Sequence, residues 1–152
     1  MKIYVASSWR NKHQPEIVQK LRDAGHEVYD FRNPSETDKG FAWSDIDPNW
    51  KEWTNEQYRK ALNHPVAVKG FFNDFSGMQW ADACVMVMPC GRSAHTEAGW
   101  MQGAGKPTII LQQKEAEPEL MYKIYEAVYD NIIDVVEHLT MLQIALEEER
   151  VV

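Results

Sequence analysis

Two acidic residues occupy positions from which they could act on a bond of a small substrate. Glu97 comes just after the segment Ser93–Thr96, near the predicted start of a helix that follows the most apolar strand of the chain. A carboxylate in a first helical turn gains about 0.3–1 kcal/mol from the helix dipole, which is the purely structural interpretation. At the ligand-binding edge of a sheet, the same carboxylate could act as a nucleophile at a sugar carbon.

Asp74 is the second candidate, and it interrupts a mostly apolar helical segment. Phe71 precedes it by three residues and Met78 follows by four, so the three are predicted to share one side of the helix. An acid on that side lies either in solvent at the edge of the apolar face or in a pocket. A pocket would favour the protonated acid that a proton donor needs, and the spacing leaves both interpretations open.

Small hydroxyl and guanidinium groups follow two of the predicted strands and could bind a phosphate group. They are Ser7, Ser8 and Arg10 after the first strand, and Gly91, Arg92 and Ser93 after the central strand. Free backbone N–H groups and a helix N-terminus behind these loops would complete such a site. The chain has neither a G-x-G-x-x-G pattern nor a P-loop lysine, so dinucleotide or ATP binding lacks its motif.

Two further side chains have an ordinary structural interpretation beside a functional one. Tyr4 is expected in the core within the first strand, where its hydroxyl needs a partner such as a nearby carboxylate. His95 lies two positions before Glu97, and a single helical histidine is more often structural or exposed than catalytic.

Strands and helices alternate along the chain, and this alternation must position the candidate residues. The predicted strands cover residues 3–6, 27–31, 83–88, 108–111 and 127–129. Pro15 and Gly25 mark the two ends of the first helix. Ser93 and Gly105 mark the two ends of the helix that carries Glu97. Asn131 caps the last helix. Gly99 and Gly103 are expected to let the Glu97 helix lie close to the sheet. We predict a single α/β domain over residues 1–152, with a doubly wound, flavodoxin-like, five-stranded parallel sheet flanked by helices.

Residues 32–53 do not follow this alternation of strands and helices, and they contain many large aromatic side chains. A long irregular segment in a compact domain is often a functional lid. Trp43, Trp50 and Trp53 could stack on a base, and a rigid hydrophobic lid is an equal alternative.

Two helices are predicted to follow this segment. Thr54 and Gln57 have the spacing of a capping box. Pro65 begins a second helix, whose predicted apolar face consists of Val68, Phe71, Phe72, Phe75 and Met78.

Composition narrows the classes of partner and site. The formal net charge is −7 and no cluster of Lys and Arg occurs, which disfavours polymeric nucleic acid and acidic membranes. Cys84 and Cys90 form neither a disulfide framework nor a metal-binding spacing, so we expect no metal and no cofactor. The N-terminal residues do not resemble a signal peptide and no apolar stretch approaches about 20 residues, which predicts a cytoplasmic protein.

Several segments together resemble the nucleoside 2-deoxyribosyltransferases and the related deoxynucleoside 5′-monophosphate N-glycosidases. Ile3–Ser7 looks like the family's first strand and loop, and Phe72–Met78 resembles its N-D-x-x-x-[IM] segment. Asp82–Met88 resembles the aspartate-led central strand. Most specific is Thr96-Glu97-Ala98-Gly99 followed by Gly103-Ala104-Gly105-Lys106-Pro107, which resembles the E-x-G motif with a downstream G-K-P.

The resemblance implies a role for each matching residue. Glu97 would attack C1′ of the sugar, Asp74 would protonate the departing base, and Tyr4 would orient the Glu97 carboxylate. The sugar would then pass to another base or to water in nucleotide salvage, and family members commonly form homodimers or larger assemblies. The transferase branch has an acid where this chain has Gly91. The hydroxyls of Ser7, Ser8 and Ser93 resemble those of the monophosphate-cleaving branch instead, which favours a nucleotide substrate.

Two alternatives stay open at this point. The domain could bind nucleotides as a sensor or adaptor without turning them over, in which case ligand would stabilise it without release of base. It could also cleave a nicotinamide dinucleotide, and release of free nicotinamide would decide this.

Overall fold

The computed structural model describes all 152 residues, and the chain divides into two compact units. The first unit consists of Met1–Tyr29 together with Trp80–Val152, and the second of Asp30–Gln79.

A five-stranded parallel sheet forms the centre of the first unit. Its strands are β1 (Lys2–Ala6), β2 (Glu27–Tyr29), β3 (Ala83–Val87), β4 (Thr108–Leu111) and β5 (Ala127–Tyr129). They lie in the order β2-β1-β3-β4-β5, and every neighbouring pair is parallel. This is the flavodoxin-like order of a doubly wound sheet, so the predicted fold class is confirmed. β2 ends two residues earlier than predicted, since Asp30 accepts a hydrogen bond from the backbone N–H of Arg32 and begins a turn.

The sheet is covered by apolar side chains on both faces, which explains the uninterrupted apolar sequence of β3. One face carries Ile3, Val5, Val85 and Ile109, and packs against α1 (Gln14–Asp23) and α5 (Ile132–Val151). Successive strand residues point to opposite faces, so the alternate residues, such as Tyr4 and Met86, face the other side and are fully buried there.

Helix α4 (Arg92–Gly103) carries Glu97, and its ends differ partly from the prediction. Gly91 is the N-cap, so the prediction of Ser93 at that position is wrong and Glu97 lies in the second helical turn. The predicted sheet contact through Gly99 and Gly103 is also wrong, because an added Cβ at either position would meet no atom within 4 Å. The helix instead buries Ala94, Ala98 and Met101, which recur at helical spacing. Gly105 ends the turn after the helix as predicted, with a φ of 79° that favours glycine.

The last helix of the first unit follows the predicted pattern. The Asn131 side chain accepts a hydrogen bond from the backbone N–H of Asp134 and so caps α5. Val135 and Leu139 are fully buried against the sheet. Of the helices in this chain, none has the length and apolar character needed to cross a membrane.

The second unit contains two helices after an irregular segment with two single turns of 3₁₀-helix. α2 (Asn55–Ala61) begins with the predicted capping box of Thr54 and Gln57, and α3 (Pro65–Trp80) begins at the predicted proline. The predicted apolar face of α3 is largely wrong, because Phe71 and Phe72 are 62% and 60% exposed. The inward side carries Ala67, Asp74 and Met78 instead, which are separated by seven and four residues and therefore share one side of the helix.

Candidate active site

A hydrogen bond between Tyr4 and Glu97 lies at the centre of the candidate site in the first unit. The Tyr4 hydroxyl donates to Glu97 Oε2 over 2.5 Å. Tyr4 lies on β1 and is fully buried, whereas Glu97 is partly buried on α4. A hydroxyl bonded to a carboxylate is among the stronger protein hydrogen bonds, so Tyr4 fixes one oxygen of Glu97.

Tyr4 is itself held in place by the neighbouring strand. It pairs with Tyr29 in the parallel register of β1 and β2, and the two rings stack with centroids 5.3 Å apart and planes 7° apart. Because a buried ring with a stacked partner has few rotamers available, its hydroxyl has a defined position.

The two loops that follow β1 and β3 lie next to each other, as expected for the carboxyl ends of neighbouring parallel strands. The Ser7 hydroxyl donates to the Val87 carbonyl over 2.9 Å. The buried Asn11 amide reaches the carbonyls of both Val87 and Pro89 at 3.3 Å. Asn11 therefore joins the two loops, a role that its type and position in the sequence did not reveal.

The predicted phosphate-binding residues fall into two groups in these loops. Ser7 is buried, and Ser8 is partly buried with its hydroxyl accepting a hydrogen bond from the backbone N–H of Arg10. The others are exposed, namely Arg10, Gly91, Arg92 and Ser93. Gly91 to Ser93 form the N-terminal end of α4, where backbone N–H groups attract an anion.

His95 connects α4 to the segment Leu120–Ile124. Its Nδ1 lies 2.8 Å from the Gly91 carbonyl, which can only accept, so Nδ1 is the donor of this hydrogen bond. Its Nε2 lies 2.6 Å from the Tyr122 hydroxyl, and the two rings stack. Burial raises the pKa of Tyr122, which keeps this hydroxyl protonated. These contacts hold the segment Leu120–Ile124 against α4 beside Glu97.

Both cysteine thiols experience the negative charge of Glu97. Burial and then the Glu97 charge raise the pKa of Cys90 to about 12, and the same two causes raise that of Cys84 further. Both thiols therefore stay protonated at neutral pH, which disfavours them as nucleophiles. No group of three or more His, Cys, Asp or Glu side chains in the chain is arranged to hold a metal ion.

Asp74 belongs to the second unit, where it lines a cavity of about 230 Å³. Asp38, Asp45 and Asn73 contribute further polar groups to the wall, and Phe41 contributes an aromatic ring. Of the two interpretations of Asp74 that the sequence left open, the pocket position is the one observed.

The aromatic segment packs on itself beside this cavity. Trp43 contacts Phe41, Trp53 and Tyr58 in edge-on geometry, with centroids 4.7, 5.7 and 6.1 Å apart. The Trp53 indole N–H donates to Asp47 over 2.7 Å. Trp43, Trp50 and Trp53 are absent from the cavity wall, whose aromatic residues are Phe31 and Phe41.

Comparison with solved structures adds a fold relationship to this geometry. No protein-family model and no curated protein matches the sequence. The 2-deoxyribosyltransferase of the psychrotolerant bacterium Bacillus psychrosaccharolyticus superposes with a TM-score of 0.60 at 23% identity, over 90% of each chain. The chain has the fold of a 2-deoxyribosyltransferase. A conserved protein from Enterococcus faecalis V583 superposes with a TM-score of 0.56 at 15% identity, and the match covers 93% of this chain and 98% of that protein. The CMP N-glycosidase BcmB from Clostridium botulinum superposes with a TM-score of 0.48 at 16% identity, and the match covers 92% of this chain and 99% of BcmB.

The 2-deoxyribosyltransferase fold confirms the architecture implied by the sequence resemblance. A shared fold at this identity does not fix an activity, so the chemistry has to be argued from the side chains. Within the first unit, this fold brings Tyr4 and Glu97 into contact and places the two predicted phosphate loops at one edge of the sheet.

Proposed function

We propose that this protein cleaves the N-glycosidic bond of a 2′-deoxyribonucleoside or its 5′-monophosphate through a covalent glycosyl–Glu97 intermediate. The observation that carries the proposal is the 2.5 Å hydrogen bond from the buried Tyr4 hydroxyl to Glu97. A carboxylate with one oxygen fixed presents its other oxygen in a defined direction, as a nucleophile requires.

In the first step, a Glu97 carboxylate oxygen attacks C1′ of the deoxyribose. The bond between C1′ and the base nitrogen breaks, and its electron pair leaves with the base. Asp74 donates a proton to the departing base, which therefore leaves as a neutral molecule. The products are an ester between Glu97 and the sugar and an ionised Asp74.

In the second step, water or the nitrogen of another base attacks C1′ from the opposite side. The bond between C1′ and the Glu97 oxygen breaks, and the electron pair returns to the carboxylate. Asp74 takes the proton of the attacking group and is ready for another turnover. This two-step displacement retains configuration at C1′, as in retaining glycosidases.

A 5′-monophosphate is the form of substrate that we favour. Exposed Arg10 supplies positive charge in the loop after β1, and exposed Arg92 and Ser93 lie in the first turn of α4. A helix N-terminus with guanidinium and hydroxyl groups nearby suits a phosphate dianion. A free nucleoside would leave these groups without a ligand.

The test is a product assay with the full-length protein on each 2′-deoxynucleoside and its 5′-monophosphate, with and without a second base. We expect free or exchanged base from the wild type and a loss of at least about a thousandfold in Glu97→Gln. Glu115→Gln is the matched control, since Glu115 is exposed in a loop of the same unit. Turnover retained in Glu97→Gln would refute Glu97 as the nucleophile, and ligand-dependent stabilisation without release would favour a binding protein.

The role of Asp74 has its own test. Asp74→Asn should lose activity on natural substrates but keep much of it on a deoxyribosyl compound whose leaving group needs no proton. Peptide mass mapping after rapid acid quenching of that variant should find the sugar attached to the peptide containing Glu97. Equal losses on both kinds of substrate would contradict proton donation by Asp74.

A further inference from the structure

The cavity of the second unit has the size of a site for a planar ring system. Its volume of about 230 Å³ is below the roughly 300–1,000 Å³ of pockets that enclose a whole drug-sized ligand. The Phe41 ring lines it, and a flat aromatic wall favours a flat aromatic ligand.

Phe41 is held closely in that wall. A Cβ added to Gly70 of α3 would lie 2.9 Å from Phe41 Cβ and 3.0 Å from its ring atoms, so only glycine allows this approach. Trp43 packs edge-on against the same ring. The wall is therefore preformed, which reduces the cost of ordering it around a ligand.

The polar groups of the cavity are mainly hydrogen-bond acceptors. Asp38 accepts from the Gly40 backbone N–H at 2.9 Å and from the Asn73 amide at 2.9 Å, and it lies 3.5 Å from the Lys69 ammonium. The Gly40 hydrogen bond and the Lys69 charge hold the pKa of Asp38 below its ordinary value, so it is ionised at neutral pH. An ionised carboxylate only accepts hydrogen bonds.

The contact with Asp38 also fixes the orientation of Asn73. Its NH₂ group faces the carboxylate, so its carbonyl oxygen is turned away from Asp38. Asp45 adds another carboxyl group to the wall. The ammonium of Lys69, which could act as a donor, lies 3.5 Å from Asp38 on a side chain that is 72% exposed.

We infer that this cavity selects bases with an exocyclic amino group beside a ring nitrogen, as in cytosine and adenine, over the corresponding keto bases. The amino group would donate to the acceptors of the wall, whereas a keto oxygen at the same place would meet the acceptors Asp38, Asp45 and the Asn73 carbonyl. The proton of Asp74 is not a donor for that oxygen in the proposed reaction, because it goes to the ring nitrogen that leaves C1′. This inference rests on the proposed function, because it treats the cavity around Asp74 as the place of the departing base. Sites that must hydrogen-bond a substrate group discriminate strongly against analogues lacking it.

The experiment compares substrates that differ only in this group, namely dCMP with dUMP and dAMP with dIMP, together with the matching nucleosides. We expect kcat/KM to favour the amino member of each pair by at least about tenfold. In Asp45→Asn the ratio should fall severalfold, since the amide can also donate to a keto oxygen. Glu36→Gln, an exposed acid of the same unit outside the cavity, should leave the ratio unchanged.

Calorimetric titration with free cytosine, uracil, adenine and hypoxanthine separates this inference from the proposed function. Tighter binding of the amino bases without release from any substrate would support the selectivity and overturn the proposed catalysis. Base release with equal or higher kcat/KM for the keto substrates would overturn the selectivity but would agree with the proposed cleavage of the N-glycosidic bond. Equal binding of all four bases would also overturn the selectivity.

Discussion

Tyr4 and Glu97 are 93 positions apart in the chain, and the Tyr4 hydroxyl lies 2.5 Å from the Glu97 carboxylate. The contact joins the first strand of the sheet to α4, which begins after the third. Because neighbouring parallel strands end at the same edge, the doubly wound order of the sheet is what brings β1 and α4 together. Stacking with Tyr29 then determines where the Tyr4 hydroxyl points.

We predict that Tyr4→Phe lowers kcat/KM by about ten- to a hundredfold. The variant keeps the ring and its stacking on Tyr29, and it removes the hydroxyl that donates to Glu97. Hydrogen bonds to charged groups contribute about 1.5–3 kcal/mol, which corresponds to this range. Steady-state kinetics on the best substrate of the panel measures the effect.

The control for this variant is Tyr58→Phe. Tyr58 is 46% exposed and packs its ring edge-on against Trp43, so loss of its hydroxyl should change neither activity nor stability. If Tyr4→Phe were as active as this control, Tyr4 would have no part in positioning Glu97.

The thiol of Cys90 should react slowly at neutral pH, because burial and the Glu97 charge raise its pKa to about 12. Alkylation followed by mass spectrometry at pH 8 should label Cys90 far more slowly in the folded protein than in urea. Glu97→Gln removes the charge and should speed labelling of Cys90. Labelling at the same rate in folded and unfolded protein would contradict the raised pKa.

The same pKa predicts how stability depends on pH. A thiol whose pKa is higher in the folded state than its ordinary value of 9.0 contributes stability below pH 9. This contribution is lost as pH rises from about 9 toward about 12, where the unfolded chain has lost the proton and the folded chain has kept it. Cys90→Ser should therefore show a shallower decline of the unfolding free energy over this range in urea titrations.

Gly70→Ala should destabilise the protein by about 1–3 kcal/mol, as overpacking commonly does. The new methyl group would lie 2.9 Å from Phe41 Cβ, closer than such contacts allow. Thermal and urea unfolding measure the loss, and binding of free base should weaken because Phe41 lines the cavity.

Gly99→Ala is the matched control within another helix. No atom lies within 4 Å of an added Cβ there, so the substitution should raise stability by about 0.5–1 kcal/mol through helix propensity. A Gly70→Ala variant as stable as Gly99→Ala would show that Phe41 can move out of the way.

Local patterns predicted the elements of this chain well where one short signal was sufficient. Pro15, the Thr54 and Gln57 capping box, Pro65, Gly105 and Asn131 all lie where the pattern indicated. Each signal acts through the backbone of its own turn, so it needs no information about distant residues.

Patterns that depend on packing were less reliable. Phe71 and Phe72 suggested an inward face of α3, yet both are exposed and the inward side carries Ala67, Asp74 and Met78. Ser93 is a better N-cap by type than Gly91, but the N-cap lies two residues earlier, at Gly91, directly after the loop from β3. Helix orientation and loop length, which decided both outcomes, are properties of the assembled fold.

For the candidate site, the sequence by itself determined which groups are present: an acid in a helix after the central strand, an acid in an apolar helix, and a tyrosine in the first strand. Only the tertiary structure decided that the tyrosine donates to the first acid, that the second lines a cavity, and that Asn11 and His95 hold the neighbouring loops. The physical reason is that residue type and spacing specify local conformation and the side that is buried. A hydrogen bond between residues far apart in the chain depends on strand order and register, which only the packing of the whole sheet establishes.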